Sequence, residues 1–285
     1  MERVRASIVV YKTDAELLSR AMQSFLNSPF SGLLTVLDNS PTDVLRKFCE
    51  QNGVSYFYNG RNLGYGSAHN LAMTESLTKA DYHLVLNPDV SFKPCVIEQL
   101  VHFMDFHLQA GLVMPKVVNS EGKVQMLCKL LPTPFNLATR RFFPFDSWFQ
   151  NLNSKYEMSE AGYDHVMNVP FLSGCFMFFR TSALQKVGLF DEQFFLYAED
   201  TDLSRRMHAQ FDTLFFPNVE IQHIHARGSY KDFNLTIQNI KSAFQYFNKW
   251  GWFFDDERDM VNQRAMIAVQ NLQDQKQAVG EVETA

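Results

Sequence analysis

Short apolar runs that alternate with helical patterns constrain the fold of this chain more than any other feature of its sequence. Residues 7–11 form a continuous apolar run of the kind that a parallel sheet buries on both faces, and residues 33–37, 55–58 and 82–86 repeat this character. Helical stripes lie between these runs, and the first of them opens with capping-box spacing at 13–16. The alternation predicts βαβ units, and hence an α/β fold with a right-handed, mostly parallel sheet flanked by helices.

The remainder of the chain extends this architecture and adds a helical appendage. Ser40 followed by Pro41 suits an N-cap and a first helical residue, so a helix is expected to run from there through Cys49. Further strands are expected at 111–116, 171–179 and 214–223, helices at 68–77, 182–188 and 237–248, and a polar hairpin at 119–123. The expected organisation is one domain over 1–232, a helical, aromatic-rich extension over 233–269, and a disordered polar tail over 270–285.

Composition narrows the class of protein. The 285 residues include 26 basic and 31 acidic side chains, a net charge of −5 that argues against a nucleic-acid binder relying on a strong basic field. The four cysteines are widely separated and show no metal-type pairing, as in the reduced thiols of a cytosolic protein. No apolar run approaches the roughly 20 residues that span a bilayer, and the N-terminus lacks the apolar segment of a signal peptide. We therefore expect a cytoplasmic protein.

Candidate binding residues follow the predicted strands, where the ligands of such sheets bind. They are Val10, Tyr11, Asp38, Asn39, Asn62, Gly64, Tyr65, Asn87 and Asp89. Asp38 could bind a nucleobase or a ribose, or it could form an Asx-turn ahead of Ser40. The sequence contains neither a Gly-x-Gly-x-x-Gly fingerprint nor a phosphate loop, which disfavours ordinary dinucleotide and P-loop proteins.

An acidic stretch at 194–206 is the second candidate centre. It places Glu199, Asp200 and Asp202 between aromatic residues and a pair of arginines. An aromatic wall raises carboxylate basicity, and nearby arginines hold the charged form in place. The alternative is an ordinary helix start, where the helix dipole favours acidic residues.

Taken in order, these segments resemble family 2 glycosyltransferases. The resemblance rests on residues 7–11, 38–40, 62–66, 87–89, 174–177 and 195–203. Within the family, the chain most resembles the bacterial rhamnosyltransferase branch that builds O-antigen and related surface polysaccharides. It implies a GT-A fold with a nucleotide-sugar-binding half at 1–110 and an acceptor-binding half at 111–232. It also implies a nucleotide-sugar donor and a Mg²⁺ or Mn²⁺ ion.

The resemblance assigns roles to individual residues. Asp200 matches the general base, and Glu199 is then expected to bind acceptor hydroxyls. Asp89 matches a metal ligand, although Asn87 stands where the family motif often carries a first acid. His223 is the position that closes on the metal or the diphosphate, and a zinc site with His225 is a weaker alternative. Three further roles are expected. Gly174, next to Ser173, would leave room for the sugar, and Asp202 would pair with Arg205 or Arg206. Arg227 with Lys231 would neutralise the phosphates.

These features support an inverting glycosyltransferase that moves rhamnose from dTDP-rhamnose to a saccharide acceptor, expected to be lipid-linked. The alternatives are a UDP-galactofuranosyl or other UDP-hexosyl transferase, and a catalytically weak binding partner in a polysaccharide assembly. The aromatic cluster at 250–254 suits either a core or a membrane interface, so peripheral contact with the inner face of the cell membrane is also expected. Residues 129–163 are interpreted as an acceptor-facing or membrane-facing insertion, or as a surface loop.

Overall fold

The structure is a computed structural model that describes residues 2–142, 153–224 and 233–283, with side chains described for 2–139, 153–224 and 233–274. No helix in these parts of the chain is long and apolar enough to cross a membrane.

The core of the structure is a central mixed sheet. Its strands are β1 Glu2–Val10, β2 Ser31–Asp38, β3 Ser55–Tyr58, β4 Ala80–Leu86, β5 Val90–Phe92, β6 Ala110–Val118, β8 Met167–Asn168, β10 Phe176–Arg180 and β11 Asp212–His223. They run in the order β3-β2-β1-β4-β10-β6-β11-β5, and β8 pairs with β11. Strands β1 to β4 pair in parallel, as do β6 and β11, whereas β5, β8 and β10 run antiparallel to their neighbours. The α/β fold with a mostly parallel sheet is thereby confirmed.

The strand predicted over 171–179 is wrong in one respect. It consists of two pieces, β9 (Phe171–Leu172) and β10, and β9 pairs with β7 (Cys128–Lys129) in a separate ribbon. The small residues between the two pieces leave the sheet, and the Gly174 amide hydrogen-bonds to a side chain of the acidic stretch instead of a neighbouring strand.

Helices cover both faces of the sheet. They are α1 Ala15–Leu26, α2 Arg46–Gln51, α3 Tyr65–Lys79, α4 Cys95–Phe106, α5 Pro134–Phe142, α6 Thr181–Val187, α7 Glu199–His208, α8 Phe233–Trp250 and α9 Asp256–Glu283, with a 3₁₀ turn at Ser159–Ala161. Leu84, Val85 and Leu86 of β4 are all fully buried, as expected for a strand covered on both faces.

The helix predicted to begin at Ser40 and Pro41 is wrong, because α2 begins at Arg46. The Ser40 amide donates to Asp38 Oδ1 at 2.7 Å, and the Ser40 hydroxyl accepts from the Lys12 amide at 2.8 Å. The hydroxyl that would have capped the helix therefore joins the loop after β2 to the loop after β1.

The tail from residue 270, which the sequence predicts to be disordered, lies within α9 as far as Glu283. Ala265 and Val269 of this helix are buried in the main core, and Gln273 Nε2 donates to Glu160 O at 2.7 Å. Polar residues with good helix propensity extend a helix once tertiary contacts anchor its beginning.

A buried ion pair joins the C-terminal helices to the acidic stretch. Arg205 on α7 binds Asp255 through two hydrogen bonds of 2.7 Å, and both side chains are 3% exposed. Glu257 accepts a further hydrogen bond from Arg205, and the guanidinium lies 4.1 Å from the centroid of the Trp250 ring. Asp255 also accepts from the Arg258 amide, so it caps α9.

We predict that Asp255→Ala lowers the free energy of unfolding by about 3 kcal/mol, because it leaves a buried guanidinium without its bidentate partner. The matched control is Asp259→Ala, which removes the 67%-exposed partner of Arg258 and should cost less than about 1 kcal/mol. Urea unfolding measures both effects. Equal losses in the two variants would contradict the structural role of the Arg205–Asp255 pair.

Candidate active site

The carboxyl ends of the strands meet the acidic stretch through a close backbone contact at Gly64. Gly64 has φ +88°, and a Cβ at this position would lie 2.3 Å from Phe195 O. The next residue, Tyr65, begins α3 and donates its amide to the same carbonyl at 2.8 Å. Only glycine permits this approach, which holds the start of α3 against the turn that carries the acids.

The Tyr65 hydroxyl occupies the centre of the candidate site. It lies 2.7 Å from Gly174 O and 2.9 Å from Asn87 Oδ1, so it links the loop after β4 to the segment between β9 and β10. Burial raises the pKa of Tyr65 well above its usual value, and Glu199 is the next largest cause, followed by smaller contributions that include Asp200 and Asp89. The carboxylates that the sequence singled out on two distant segments therefore lie within electrostatic range of one hydroxyl.

Asp200 has a fixed carboxylate that remains partly exposed. Its Oδ2 accepts from the Gly174 amide at 2.9 Å and its Oδ1 from the Thr201 amide at 2.8 Å. A Cβ at residue 174 would lie 3.1 Å from the Asp200 Cβ and 3.2 Å from Oδ2. The glycine thus makes room for the carboxylate of Asp200, whereas the sequence had suggested room for a sugar.

Glu199 lies next to Asp200 in a different environment. It is 5% exposed, and its Oε2 has no hydrogen-bond partner in the described part of the chain. Burial, and then the charge of Asp200, raise the pKa of Glu199 well above its usual value. The two neighbouring acids are therefore chemically unequal, because the protonated form is favoured at Glu199.

The turn at residues 193–198, which leads into Glu199 and Asp200 and is called the acid-bearing turn below, adopts an unusual backbone. Tyr197 and Ala198 both have positive φ, 69° and 67°, a conformation that costs free energy for residues other than glycine unless the surroundings enforce it. Helix α8 supplies this support, because Ser242 Oγ donates to Leu196 O at 2.7 Å and Gln245 Nε2 donates to Gln193 O at 2.9 Å.

Asp202 ties the same helix to α7. Its fully buried carboxylate accepts from Arg206 Nε at 2.8 Å, Trp250 Nε1 at 2.8 Å and Lys249 Nζ at 2.7 Å. Of the two arginines considered as partners from the sequence, the structure selects Arg206. The sequence offered no signal for Lys249 or for the inward role of Trp250, since both lie about 50 residues from their partner.

A second pair of residues forms at the ends of β4 and β11. The Nε2 atom of His223 lies 3.4 Å from Asp89 Oδ1, and its Nδ1 lies 3.2 Å from Oε1 of Gln125. Gln125 also donates to His223 O at 2.7 Å. Sequence analysis missed Gln125, which orients the imidazole but belongs to no recognisable motif.

This pair is suited to a cation. Burial lowers the pKa of His223, but neighbouring Cys175 and Asp89 outweigh it and raise the pKa to about 10, so the local field favours positive charge. Asp89 would offer a divalent cation the carboxylate oxygen that Mg²⁺ prefers, and His223 would offer a ring nitrogen once it has lost its proton. Within the described residues no group of three or more His, Cys, Asp or Glu side chains could hold a metal, so further ligands would have to come from a diphosphate and water.

The residues predicted to bind the nucleotide divide into exposed and buried sets. Asp38 is fully buried and accepts from Ser40 N and from the Tyr56 hydroxyl at 2.6 Å, so it forms the Asx-turn. The Val10 carbonyl accepts from Asn39 N, while Asn39 Nδ2 donates to Gly64 O and Asn62 Oδ1 accepts from Gly64 N. The side chains of Asp38 and Asn39 are buried and shape the loops, whereas Asn62 is exposed and Tyr11 is 49% exposed.

A cavity of about 290 Å³ lies beside these loops. Its lining comes from the loops after β1 and β2 and from the approach to α2, and consists of Lys12, Thr13, Ser40, Pro41, Thr42, Val44 and Leu45. Lys12 was not among the residues singled out from the sequence. Arg227, Lys231 and His225 lie outside the described residues, so their predicted roles stay predictions.

Comparison with known proteins agrees with this geometry. Residues 3–243 match the family described as glycosyltransferase like family 2. The chain is 29% identical over 221 residues to an N-acetylglucosaminyl-diphospho-decaprenol L-rhamnosyltransferase of Mycobacterium tuberculosis, covering 72% of this chain and 69% of the relative. It is 24% identical over 227 residues to rhamnosyltransferase WbbL of Escherichia coli, and the match covers 75% of this chain and 81% of WbbL.

Among solved structures, GalNAc-T7 with UDP, GalNAc and Mn²⁺ superposes with a TM-score of 0.58 at 14% identity. The match covers 78% of this chain but only 43% of that one, and it bears on the fold alone. The fold is of the GT-A type, and the family match defines a glycosyltransferase. The chain belongs to glycosyltransferase family 2.

The environment of Glu199 generates a prediction about pH. Below about pH 4.3, the pKa of an unfolded glutamate, folded and unfolded chains both bind the proton. Above that pH the unfolded carboxyl ionises while the folded one keeps its proton, so this residue makes the parent less stable as pH rises. The variant Glu199→Gln lacks this loss, and its melting temperature relative to the parent should rise between about pH 5 and pH 8. Exposed Glu220 provides the control Glu220→Gln, and an identical pH profile in both variants would contradict the prediction.

Proposed function

We propose that the protein is an inverting rhamnosyltransferase that moves rhamnose from dTDP-rhamnose to a lipid-linked saccharide, at the cytoplasmic face of the membrane, during synthesis of a bacterial surface polysaccharide. Two relatives are rhamnosyltransferases, which supports rhamnose as the transferred sugar. The name of one of them includes N-acetylglucosaminyl-diphospho-decaprenol, which supports a lipid-linked acceptor. The observation that carries the proposal is the Tyr65 hydroxyl, which bonds Asn87 Oδ1 and Gly174 O and so joins the loop that carries Asp89 to the segment whose amide binds Asp200.

Asp200 is the proposed general base. Inversion requires the acceptor oxygen to attack the anomeric carbon from the face opposite the diphosphate, while a carboxylate removes the hydroxyl proton. The new carbon–oxygen bond forms as the bond to the diphosphate breaks, and the nucleoside diphosphate leaves with the electron pair. Asp200 is partly exposed and oriented by two backbone amides, as a base in contact with an incoming hydroxyl must be.

Glu199 is proposed to bind the acceptor in its neutral form. A buried carboxyl that keeps its proton can donate a hydrogen bond to a sugar hydroxyl, and it cannot compete as the base. The division of labour follows from burial, because the two side chains are adjacent in the chain and differ chiefly in their access to water.

Asp89 and His223 are proposed to face the diphosphate. A bound Mg²⁺ or Mn²⁺ would neutralise the charge that develops on the leaving group. Arg227, with Lys231, is proposed to contribute further positive charge. The cavity bounded by Lys12 and Ser40 is the proposed nucleoside site, with Tyr11 exposed nearby and Asp38 holding the loop from behind.

The donor test compares dTDP-rhamnose with UDP-galactofuranose and UDP-hexoses, by sugar transfer to a saccharide acceptor and by thermal shift. We expect turnover and the largest stabilisation with dTDP-rhamnose, because a ligand that binds the native state raises its melting temperature. The variant Asp89→Ala should lose the part of the shift that depends on Mg²⁺. Turnover with a UDP-sugar would replace the proposed donor, and binding without turnover of any donor would favour the non-catalytic alternative.

For the base, we predict that Asp200→Asn lowers the turnover number by at least about 10²-fold, the usual effect of a lost general base. Donor-induced stabilisation should hardly change, because the substitution keeps the size of the side chain. The matched variant Glu199→Gln should retain more activity, since the amide imitates a neutral carboxyl. Near-parental activity in Asp200→Asn together with an inactive Glu199→Gln would assign the base to Glu199 instead.

A further inference from the structure

Helix α8 exposes an apolar stripe along its first three turns. Phe233, Ile237, Ile240 and Phe244 are spaced by four, three and four residues, which places them on one face of a helix. They are 75%, 50%, 40% and 54% exposed, respectively. The opposite face is buried, since Ser242 and Tyr246 pack towards the acid-bearing turn. Phe247 continues the spacing of the stripe but is 2% exposed, so the exposed stripe ends at Phe244.

The loop that follows α8 extends this surface. Phe253 and Phe254 are 76% and 93% exposed. Trp252 joins them to the stripe, because its ring lies 4.9 Å from that of Phe244 in an edge-to-face arrangement. We call Phe233, Ile237, Ile240, Phe244, Phe253 and Phe254 together the apolar patch.

The patch differs from the cluster at 250–254 that the sequence suggested as a membrane contact. Trp250 is directed inwards, where its indole donates to Asp202 and stacks with Arg205. The exposed apolar surface is supplied instead by the helix before it and by the two phenylalanines after it. Substitution of Trp250 would therefore remove a partner of Asp202 and would not report on membrane binding.

The charges of α8 complement an anionic surface. The chain has net charge −5, yet α8 contains no Asp or Glu and includes Lys241 and Lys249. Lys249 is committed to Asp191 and Asp202, whereas Lys241 is exposed beside the stripe. Exposed Asp256 follows Phe254, so the positive character of the surface comes from α8 alone. A helix with an exposed apolar face, an exposed lysine beside it and no acidic residue is typical of helices that lie in the interface of anionic bilayers.

We propose that the apolar patch rests on an anionic lipid bilayer, with α8 lying in the plane of the interface. This proposal rests on the proposed function, because a lipid-linked acceptor would be presented to the enzyme from a bilayer surface. The Ser242 bond to Leu196 O shows that the buried face of this helix contacts the acid-bearing turn. The bilayer is thereby separated from the candidate base by little more than the thickness of one helix, about 10 Å.

The test is co-flotation with acceptor-free vesicles of phosphatidylcholine, alone or mixed with an equal part of phosphatidylglycerol. The parent protein should float with the mixed vesicles. The variants Ile237→Ser/Phe244→Ser and Phe253→Ser/Phe254→Ser should each lower the partition coefficient at least about tenfold, since each removes two large apolar groups from the interface. The variant Lys241→Glu should weaken binding to the mixed vesicles.

The matched control is Phe106→Ser/Leu108→Ser, which removes two side chains that are 85% and 72% exposed on and just after α4. It should float like the parent. No flotation of the parent, or equal loss in control and patch variants, would overturn the proposal. A parent that dimerises through the patch without vesicles, as measured by sedimentation and reversed by both patch variants, would assign the surface to a second copy and also overturn it.

Failure of this proposal is separable from failure of the proposed function. The patch variants should transfer sugar to a water-soluble acceptor analogue at the parental rate, because neither pair contacts the acids. Flotation without any rhamnosyl transfer would refute the proposed function and leave the membrane surface in place. Rhamnosyl transfer without flotation would refute the membrane surface and leave the proposed function in place. Circular dichroism and the melting temperature establish that each variant is folded.

Discussion

The buried carboxylate of Asp202 is the interaction on which the geometry of the candidate site depends. A charge with no exposure to water is tolerated only when it is paired, and here Arg206, Lys249 and Trp250 all donate to it. Two of these partners belong to α8, so neutralising the carboxylate fixes the C-terminal extension against α7. The same helix then supports the turn in which Tyr197 and Ala198 adopt positive φ. A helix that looks like an appendage in the sequence is therefore part of the site.

Burial explains how two adjacent acids acquire different chemistry. Glu199 is enclosed, and the negative charge of Asp200 further disfavours its ionisation. Asp200 meets solvent and accepts two backbone hydrogen bonds. In the proposed mechanism, one dipeptide would supply both a base and a neutral hydrogen-bond donor, because its first side chain lies inside and its second at the surface.

Much of the fold could be predicted because its signals are local. Apolar runs of strand length located β1 to β4, and the order of polar residues after them indicated which loops would meet at one edge of the sheet. One local signal was wrong and another was ambiguous. Ser40 and Pro41 resemble a helix start, but the Ser40 hydroxyl is occupied by the Lys12 amide. Trp250 suits either a core or an interface, and a buried acid about 50 positions earlier binds its indole. In both cases a distant partner decided the outcome.

The sequence alone determined the α/β class and the family, because these depend on periodicity and on the order of short motifs along the chain, and the resemblance to that family supplied the proposed roles of Asp89, Asp200 and His223. Tertiary structure alone decided which carboxylate keeps its proton, why residues 64 and 174 must be small, and which face of α8 is left to solvent. The physical reason is that pKa shifts, close backbone approaches and side-chain exposure depend on neighbours brought from distant segments. A linear pattern identifies the groups, whereas only their packing sets the dielectric, the distances and the charges that each of them experiences.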